Sequence, residues 1–203
     1  MAGKRGRPAT ASPDEVLQLA TEQYLKGERL DLTVIAQRLG LGRATIYRWF
    51  GSRDGLLGEV IARQLEDLVA RRRREVRRRG AEGLLEVFDR INRSLAHSAA
   101  LQRLLEQERS AALRLVTSSN GLVQPRGVAA IEKLIVAEQD AGRYDPPADP
   151  ATLAYAIVRL AEAFLYNDAA FGIRGDHERL RAVEAALLGV EERTRRPSTR
   201  SAP

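Results

Sequence analysis

Residues 32–57 read LTVIAQRLGLGRATIYRWFGSRDGLL, and their spacing decides how the remainder is read. Ile35, Ala36, Leu39 and Ile46 supply a small apolar nucleus at helical intervals. Gly40 falls where a first short helix must stop, and it can take the positive φ of a tight reversal. Ala36, four residues earlier, is small enough to let a second helix cross closely. A three-residue turn then opens that helix over about 43–50, giving a helix-turn-helix. Upstream, Ser12-Pro13-Asp14-Glu15 combines an N-cap serine, a proline at the first helical position and a glutamate at the third, the pattern of a capping box. Val16, Leu19, Ala20 and Tyr24 carry the period to a stop at Lys26-Gly27. Thr33 is expected to cap the helix through Leu39, and Ser52 to cap a long one from about 53 to 79.

The second helix of the pair carries the chemistry of a groove reader. Arg43 can reach guanine O6 and N7, Ala44 offers a methyl to thymine, and the Thr45 hydroxyl suits a base or a phosphate. Tyr47 and Trp49 hold phenol and indole donors on rigid arms suited to phosphate oxygens; packing into a small core is the alternative for both, and the favoured reading for Phe50. Arg48 adds a cation, Arg53 opens the next helix where free N–H groups also favour an anion, and Thr33 completes the DNA-facing set. The preceding arm holds Lys4-Arg5-Gly6-Arg7-Pro8, in which Lys4, Arg5 and Arg7 suit either a narrow A·T minor groove or simple phosphate attraction.

Composition agrees with this division. The 203-residue chain has 44% apolar and 30% charged residues, a net charge of +6 and no cysteine, which excludes disulfide frameworks, thiolate metal sites and cysteine nucleophiles. Its two histidines, His97 and His177, are far apart in sequence, so no metal or cofactor is expected. Residues 1–58 hold nine Lys/Arg against six Asp/Glu, 59–80 eight against four, and 81–190 twelve against fifteen. A basic front on a slightly acidic body suits a polyanion partner for the front alone; a coding bias toward arginine is the plain alternative. The run Arg71–Arg74 with Arg77–Arg79 is read as a solvated helix end that complements the C-terminal dipole. No stretch reaches 18 uncharged apolar residues, so no membrane partner and a cytoplasmic location are expected.

Helical periodicity continues near 81–97, 99–117, 125–141, 150–169 and 176–190, without strand alternation. The fold class is therefore all-α, about nine helices. It divides into a flexible basic arm (1–11), a three-helix DNA-binding domain (12–57), a helical ligand-binding and dimerisation domain (58–190) and a disordered tail (191–203). Leu153, Ile157, Leu160 and Phe164 form one apolar stripe and Ala154, Val158, Ala161 and Leu165 another, implying burial against the domain and against something else. In the last helix Leu180, Val183, Leu187 and Val190 face one way, while Ala182, Ala185, Ala186 and Gly189 give a flat face. A homodimer through these two helices is expected, an internal hairpin being the alternative. Leu84, Phe88 and Ile91 could wall a cavity together with Tyr155, Arg159, Glu162, Tyr166, Asn167 and Asp168, although Arg159 and Glu162 stand three apart and can pair with each other.

Residues about 10–57, through GLGRATIYRWFGSRDGLL at 40–57, resemble the DNA-binding domain of the TetR family of bacterial transcriptional regulators. That resemblance implies a homodimer with an N-terminal three-helix DNA-binding domain and a variable helical ligand-binding body. Two departures stand out: Gly42 replaces the Ser or Thr that often caps the recognition helix, and Gly55 is a poor helix former. The segment YNDAAFGIRGD (166–176) resembles a subgroup that includes regulators of quorum-signal lactone degradation, which implies a small amphiphilic effector such as a lactone or acyl compound. The expected function is sequence-specific regulation of transcription, as a repressor released from a palindromic double-stranded DNA operator by its effector. An architectural DNA-binding protein without effector response is the alternative. An enzyme using Asp168, Glu162 or Tyr166 as acid or base finds no accompanying nucleophile or cofactor motif, so no catalytic residues are expected.

Overall fold

The computed structural model describes residues 11–166 and 175–191. The arm with Lys4, Arg5 and Arg7, the pair Asn167 and Asp168, and most of the tail lie outside the described residues. Within them the chain forms ten helices and no strand: α1 (Pro13–Leu25), α2 (Leu32–Leu39), α3 (Arg43–Phe50), α4 (Arg53–Glu75), α5 (Gly80–Ala96), α6 (Ala99–Gln107), α7 (Arg109–Thr117), α8 (Val123–Asp140), α9 (Pro150–Tyr166) and α10 (His177–Leu188). The all-helical architecture is as expected. The single helix read over 99–117 is instead two, because the backbone leaves helical geometry at Glu108 (φ −140°, ψ 48°).

Local chemistry explains most boundaries. The Ser12 Oγ accepts from the Glu15 N–H and the Glu15 carboxylate accepts from the Ser12 N–H at 2.7 Å, completing the capping box. Thr33 does not cap α2. Asp31 does, its Oδ1 accepting from the N–H groups of Thr33 (2.7 Å) and Val34 (3.2 Å); a carboxylate satisfies two orphan donors and opposes the helix dipole as a hydroxyl cannot. Gly40 takes φ 63°, and the Leu41 N–H donates to the Ala36 carbonyl at 2.9 Å to close α2. Gly42 offers α3 no side-chain cap. Gly55 has a steric cause: a β-carbon there would collide with the Phe50 carbonyl oxygen, so the close α3–α4 corner offsets its poor helix propensity.

Two apolar cores share one rod. The first gathers Val16, Ala20, Ile35, Ile46, Leu56, Leu57 and Val60 with Leu101 and Val116; the second gathers Leu68, Val69, Leu84, Phe88, Ile135, Ile157 and Leu188. α4 belongs to both. It stops at Glu75, four residues before the expected end, because Val76 turns to extended backbone and is buried in the second core. α8 clamps α4 twice, through Arg126 to Glu59 (2.8 Å) and to Glu66, and through Glu138 to Arg73 (2.6 Å). Part of the arginine run is thus structural: Arg73 and Arg79 both donate to the Val76 carbonyl.

Glu138 is 2% exposed and also accepts from Arg143 Nε and from the Gly80 N–H, each at 2.8 Å. Burial alone would raise its pKa; the Arg143 hydrogen bond, the Gly80 N–H and the charges of Arg143 and Arg73 overcome that and hold it at about 2. A depressed carboxyl contributes stability that is complete above its ordinary value near 4.5 and is lost as pH falls toward 2. Glu138→Gln is therefore expected to lower unfolding free energy by about 2–3 kcal/mol at pH 7. Urea melts should show that gap narrowing between pH 4.5 and 2.5; a gap independent of pH would contradict the assignment.

Candidate DNA-reading surface and internal cavity

α3 is eight residues long between Gly42 and Gly51, with Ile46 wholly buried as its anchor. Arg43, Ala44, Tyr47 and Arg48 are exposed on the opposite side, at helical spacing that places them on one face. Tyr47 is 46% exposed, which leaves its phenol free to donate to a partner. Thr45 is half-buried at the edge of that face, and Trp49 and Phe50 are half-buried against the first core. Packing thus claims part of Trp49, and Phe50 sits where its reading placed it. Thr33 is exposed, and with Arg43, Tyr47, Arg29 and Arg53 it borders an open cleft between the start of α2 and α3.

Arg53 corrects the sequence reading. Its guanidinium points inward: Nε donates to the Leu30 carbonyl at 3.1 Å, and Nη1 and Nη2 grip both oxygens of Glu108 at 2.9 and 2.8 Å. Arg29 Nε reaches the same carboxylate at 3.0 Å. A bidentate pair of this geometry is among the stronger polar contacts, and the Arg53 hydrogen bond is the main reason Glu108 titrates below its ordinary value. Glu108 is also the residue at which α6 and α7 part. Arg53 therefore ties the reading head to a kink in the body instead of presenting a free cation to phosphate.

Behind the head lies a cavity of about 330 Å³. Phe88, Ile91, Glu162 and Tyr166 line it. Leu84 does not: it is buried in the second core one turn away. Tyr155 is 50% exposed on the outer side of α9. Arg159 is also outside, donating from Nη1 to Glu162 at 2.8 Å and to the Thr117 carbonyl at 3.0 Å. The second apolar stripe of α9 is used within the protomer, since Val158, Ala161 and Leu165 line the same cavity. Burial, outweighing the nearby Arg159 and Gln124, pushes the Glu162 carboxyl up to about 7.

Among the cavity residues that the sequence reading does not reach are Tyr24, Asn92, Gln124 and Glu184. Glu184 was legible in principle, lying four residues from both Leu180 and Leu188, which are buried with it. A charge in that register is a signal. Of the small residues on α10, Ala182, Ala186 and Gly189 are exposed, whereas Ala185 is 2% exposed inside the protomer's own core. Val183, placed by its spacing on one side with Leu180, Leu187 and Val190, is 39% exposed. The two histidines, distant in sequence, stack with ring centroids 6.3 Å apart.

An outward two-helix reader joined by one rod to a helical body with a partly open cavity is the architecture of the helix-turn-helix transcriptional regulators. Residues 79–189 match the family model for the tetracyclin repressor-like C-terminal domain. The chain is 31% identical to the R. erythropolis transcriptional repressor QsdR, with a TM-score of 0.82 over 88% of this chain and 95% of that one. The protein belongs to the TetR family, and the likeness to QsdR agrees with the subgroup resemblance of residues 166–176. The Dietzia repressor AlkX, implicated in n-alkane biodegradation, shares the fold at 20% identity and a TM-score of 0.61, covering 90% of this chain and 98% of that one. No curated protein sequence matches the chain. Among the described residues no helix is long and apolar enough to cross a membrane.

Glu108→Gln removes the charge that holds Arg53 and Arg29, with an expected cost of about 1.5–3 kcal/mol. For a domain of this size that corresponds to a Tm lower by roughly 3–10 °C. Hydrogen exchange should quicken first at the α6–α7 junction; unchanged exchange there would mean that the pair does not hold the kink.

Proposed function

We propose that this protein is a ligand-responsive transcriptional repressor that binds a near-palindromic operator as a homodimer and leaves it when a small amphiphile fills the cavity. The observation carrying this reading is the exposed face of Arg43, Ala44, Tyr47 and Arg48 on a helix anchored by buried Ile46. Arg43 reads guanine, Ala44 and Thr45 read neighbouring base edges, and Tyr47, Arg48, Trp49 and Thr33 fix the register on phosphates. Lys4, Arg5 and Arg7 extend the contact into the minor groove. Two such heads separated by about 34 Å meet successive major grooves.

Dimerisation brings the α9 and α10 surfaces of two protomers together through Ala182, Ala186 and Gly189, with Val183 and Tyr155 as the large exposed groups of that face. The effector enters the space lined by Phe88, Ile91, Glu162 and Tyr166. A lactone or acyl compound is the class that the subgroup resemblance of residues 166–176 implies. Tyr24, on the first helix of the reading head, lines the same cavity. Filling the cavity therefore acts on the head directly as well as along α4, and a coupling of about 1–3 kcal/mol suffices for regulated release.

Sequencing genomic fragments retained by the purified protein tests the reading, and enrichment of one inverted-repeat motif is the expected result. On that motif Arg43→Ala should cost about 1–3 kcal/mol in binding, with little effect on random DNA. Equal losses on both would instead support an architectural role. Analytical ultracentrifugation should give a species of twice 22.5 kDa, and Val183→Glu should convert it to a monomer.

A further inference from the structure

Two buried side chains of the cavity wall hold polar atoms with no hydrogen-bond partner among the described residues: Gln124 Nε2 on α8 and Glu184 Oε2 on α10. Gln124 is 3% exposed and Glu184 fully buried. Asn92 Nδ2 donates to Glu184 Oε1 at 2.9 Å, which orients the carboxyl and leaves its second oxygen available. The Gln124 amide lies near the Glu162 carboxyl, yet its N–H groups make no bond of proper geometry. Around these groups the wall is apolar, with Phe88, Ile91, Leu101, Ile131, Ile157 and Leu165. Of the cations that border it, Arg71 is exposed and Arg72 is half-buried, held by Ser94 (3.0 Å) and Glu75 (2.7 Å).

This polarity sorts ligands by headgroup. A carboxylate would accept from Gln124 but would face two carboxyls, Glu162 and Glu184. An ammonium would pair with Glu184 but would set its own donors against the Gln124 N–H edge. A plain ester or lactone satisfies Gln124 and leaves Glu184 Oε2 unmatched. Each buried group left without its partner weakens a complex by about tenfold or more. A cavity of about 330 Å³ has room for a headgroup on a short alkyl chain.

We propose, resting on the effector reading above, that the cavity selects an uncharged amphiphile that presents a carbonyl acceptor to Gln124 Nε2 and an N–H or O–H donor to Glu184 Oε2. A secondary amide on a short alkyl chain is the simplest member of that class. The lactone or acyl class is thereby narrowed to molecules that carry a hydrogen-bond donor as well.

The test is calorimetric titration of the full chain with four probes of matched length: N-methyloctanamide, methyl octanoate, octanoate and octylammonium. Burial pushes Glu184 up to about 7, with Asp89 and Arg181 the nearest charges, so titration at pH 8.5 keeps its carboxyl ionised and able only to accept. The amide differs from the ester by one N–H in place of an oxygen, and should bind at least about tenfold more tightly. Both charged probes should bind more weakly than the amide. Glu184→Gln keeps an acceptor for Asn92 but turns the free edge into a donor, so the amide's advantage over the ester should vanish. Gln124→Met should weaken amide and ester by the same factor. Circular dichroism checks that each variant is folded; if one is not, the four-probe series on the unaltered protein decides alone. An ester that equals the amide, or a charged probe that surpasses it, overturns the headgroup assignment and leaves the effector reading standing. Failure of all four probes to bind overturns the assignment too, while release of the protein from its operator by some other small molecule would still uphold the effector reading.

Discussion

Helix α4 contributes Leu56, Leu57, Val60 and Ile61 to the core beneath the reading head, and Leu68 and Val69 to the core of the body. Side chains packed at crystal-like density transmit displacement because they have no slack to absorb it. The head therefore cannot rotate without moving the body's core, and the body cannot repack without moving the head. The ion pairs with α8 strengthen this linkage: Arg126 grips α4 at Glu59 and Glu66, and Glu138 holds its far end through Arg73. The first clamp is spread over three charges, two of them half-buried on the shared helix surface, so it resists sliding in either direction. Position of the head is thus a property of the whole fold.

The second linkage runs beside the rod. Glu108 breaks what periodicity reads as one helix and takes hold of Arg53 at the base of the reading head. α6 and α7 contribute Leu101, Leu104, Ala112 and Val116 to the first core, so the body's cavity wall and the head's floor share residues. Leu101 and Val116 line the cavity as well. A ligand touching them presses on the side chains that position α1 and α4. Arg53 is held by a partner at the α6–α7 junction, so the base of the reading head is tied to the angle between those two helices.

The head was legible in the sequence because its structure is local. Capping boxes, glycine stops and 3.6-residue apolar spacing act within a few residues, and each left its mark at Ser12, Gly40, Ile46 and Ser52. What could not be read depends on contacts distant along the chain. Nothing near Arg53 announces Glu108, 55 positions away, and nothing near Asn92 announces Glu184. Arg159 and Glu162 were read correctly as a possible pair from their spacing alone, but which of them turns inward depends on the packing of α8 and α9. Ala185 and Tyr155 failed for the same reason. A helix with apolar character on several sides does not say which side meets a partner, a cavity or its own core, and only the neighbouring helices decide it.

The unmatched polar atoms of the cavity fit this view of the fold as a transmission. A buried donor or acceptor without a partner costs about 1–3 kcal/mol, and a body selected for stability alone would hold leucine or methionine at positions 124 and 184. Retaining Gln124 and Glu184 leaves the unliganded body less stable than its packing permits, by an amount on the scale of allosteric coupling itself. A ligand that satisfies both groups gains that energy only where they are correctly placed, between α8, α5 and α10. Its affinity is therefore coupled to the arrangement of those helices, and through α8 to the set of α4. A purely hydrophobic ligand of the same volume would fill the space without discriminating between arrangements, and a ligand that binds two conformers equally shifts neither. In the proposed reading, the polar groups are what would let a bound effector favour one conformer of the body over another.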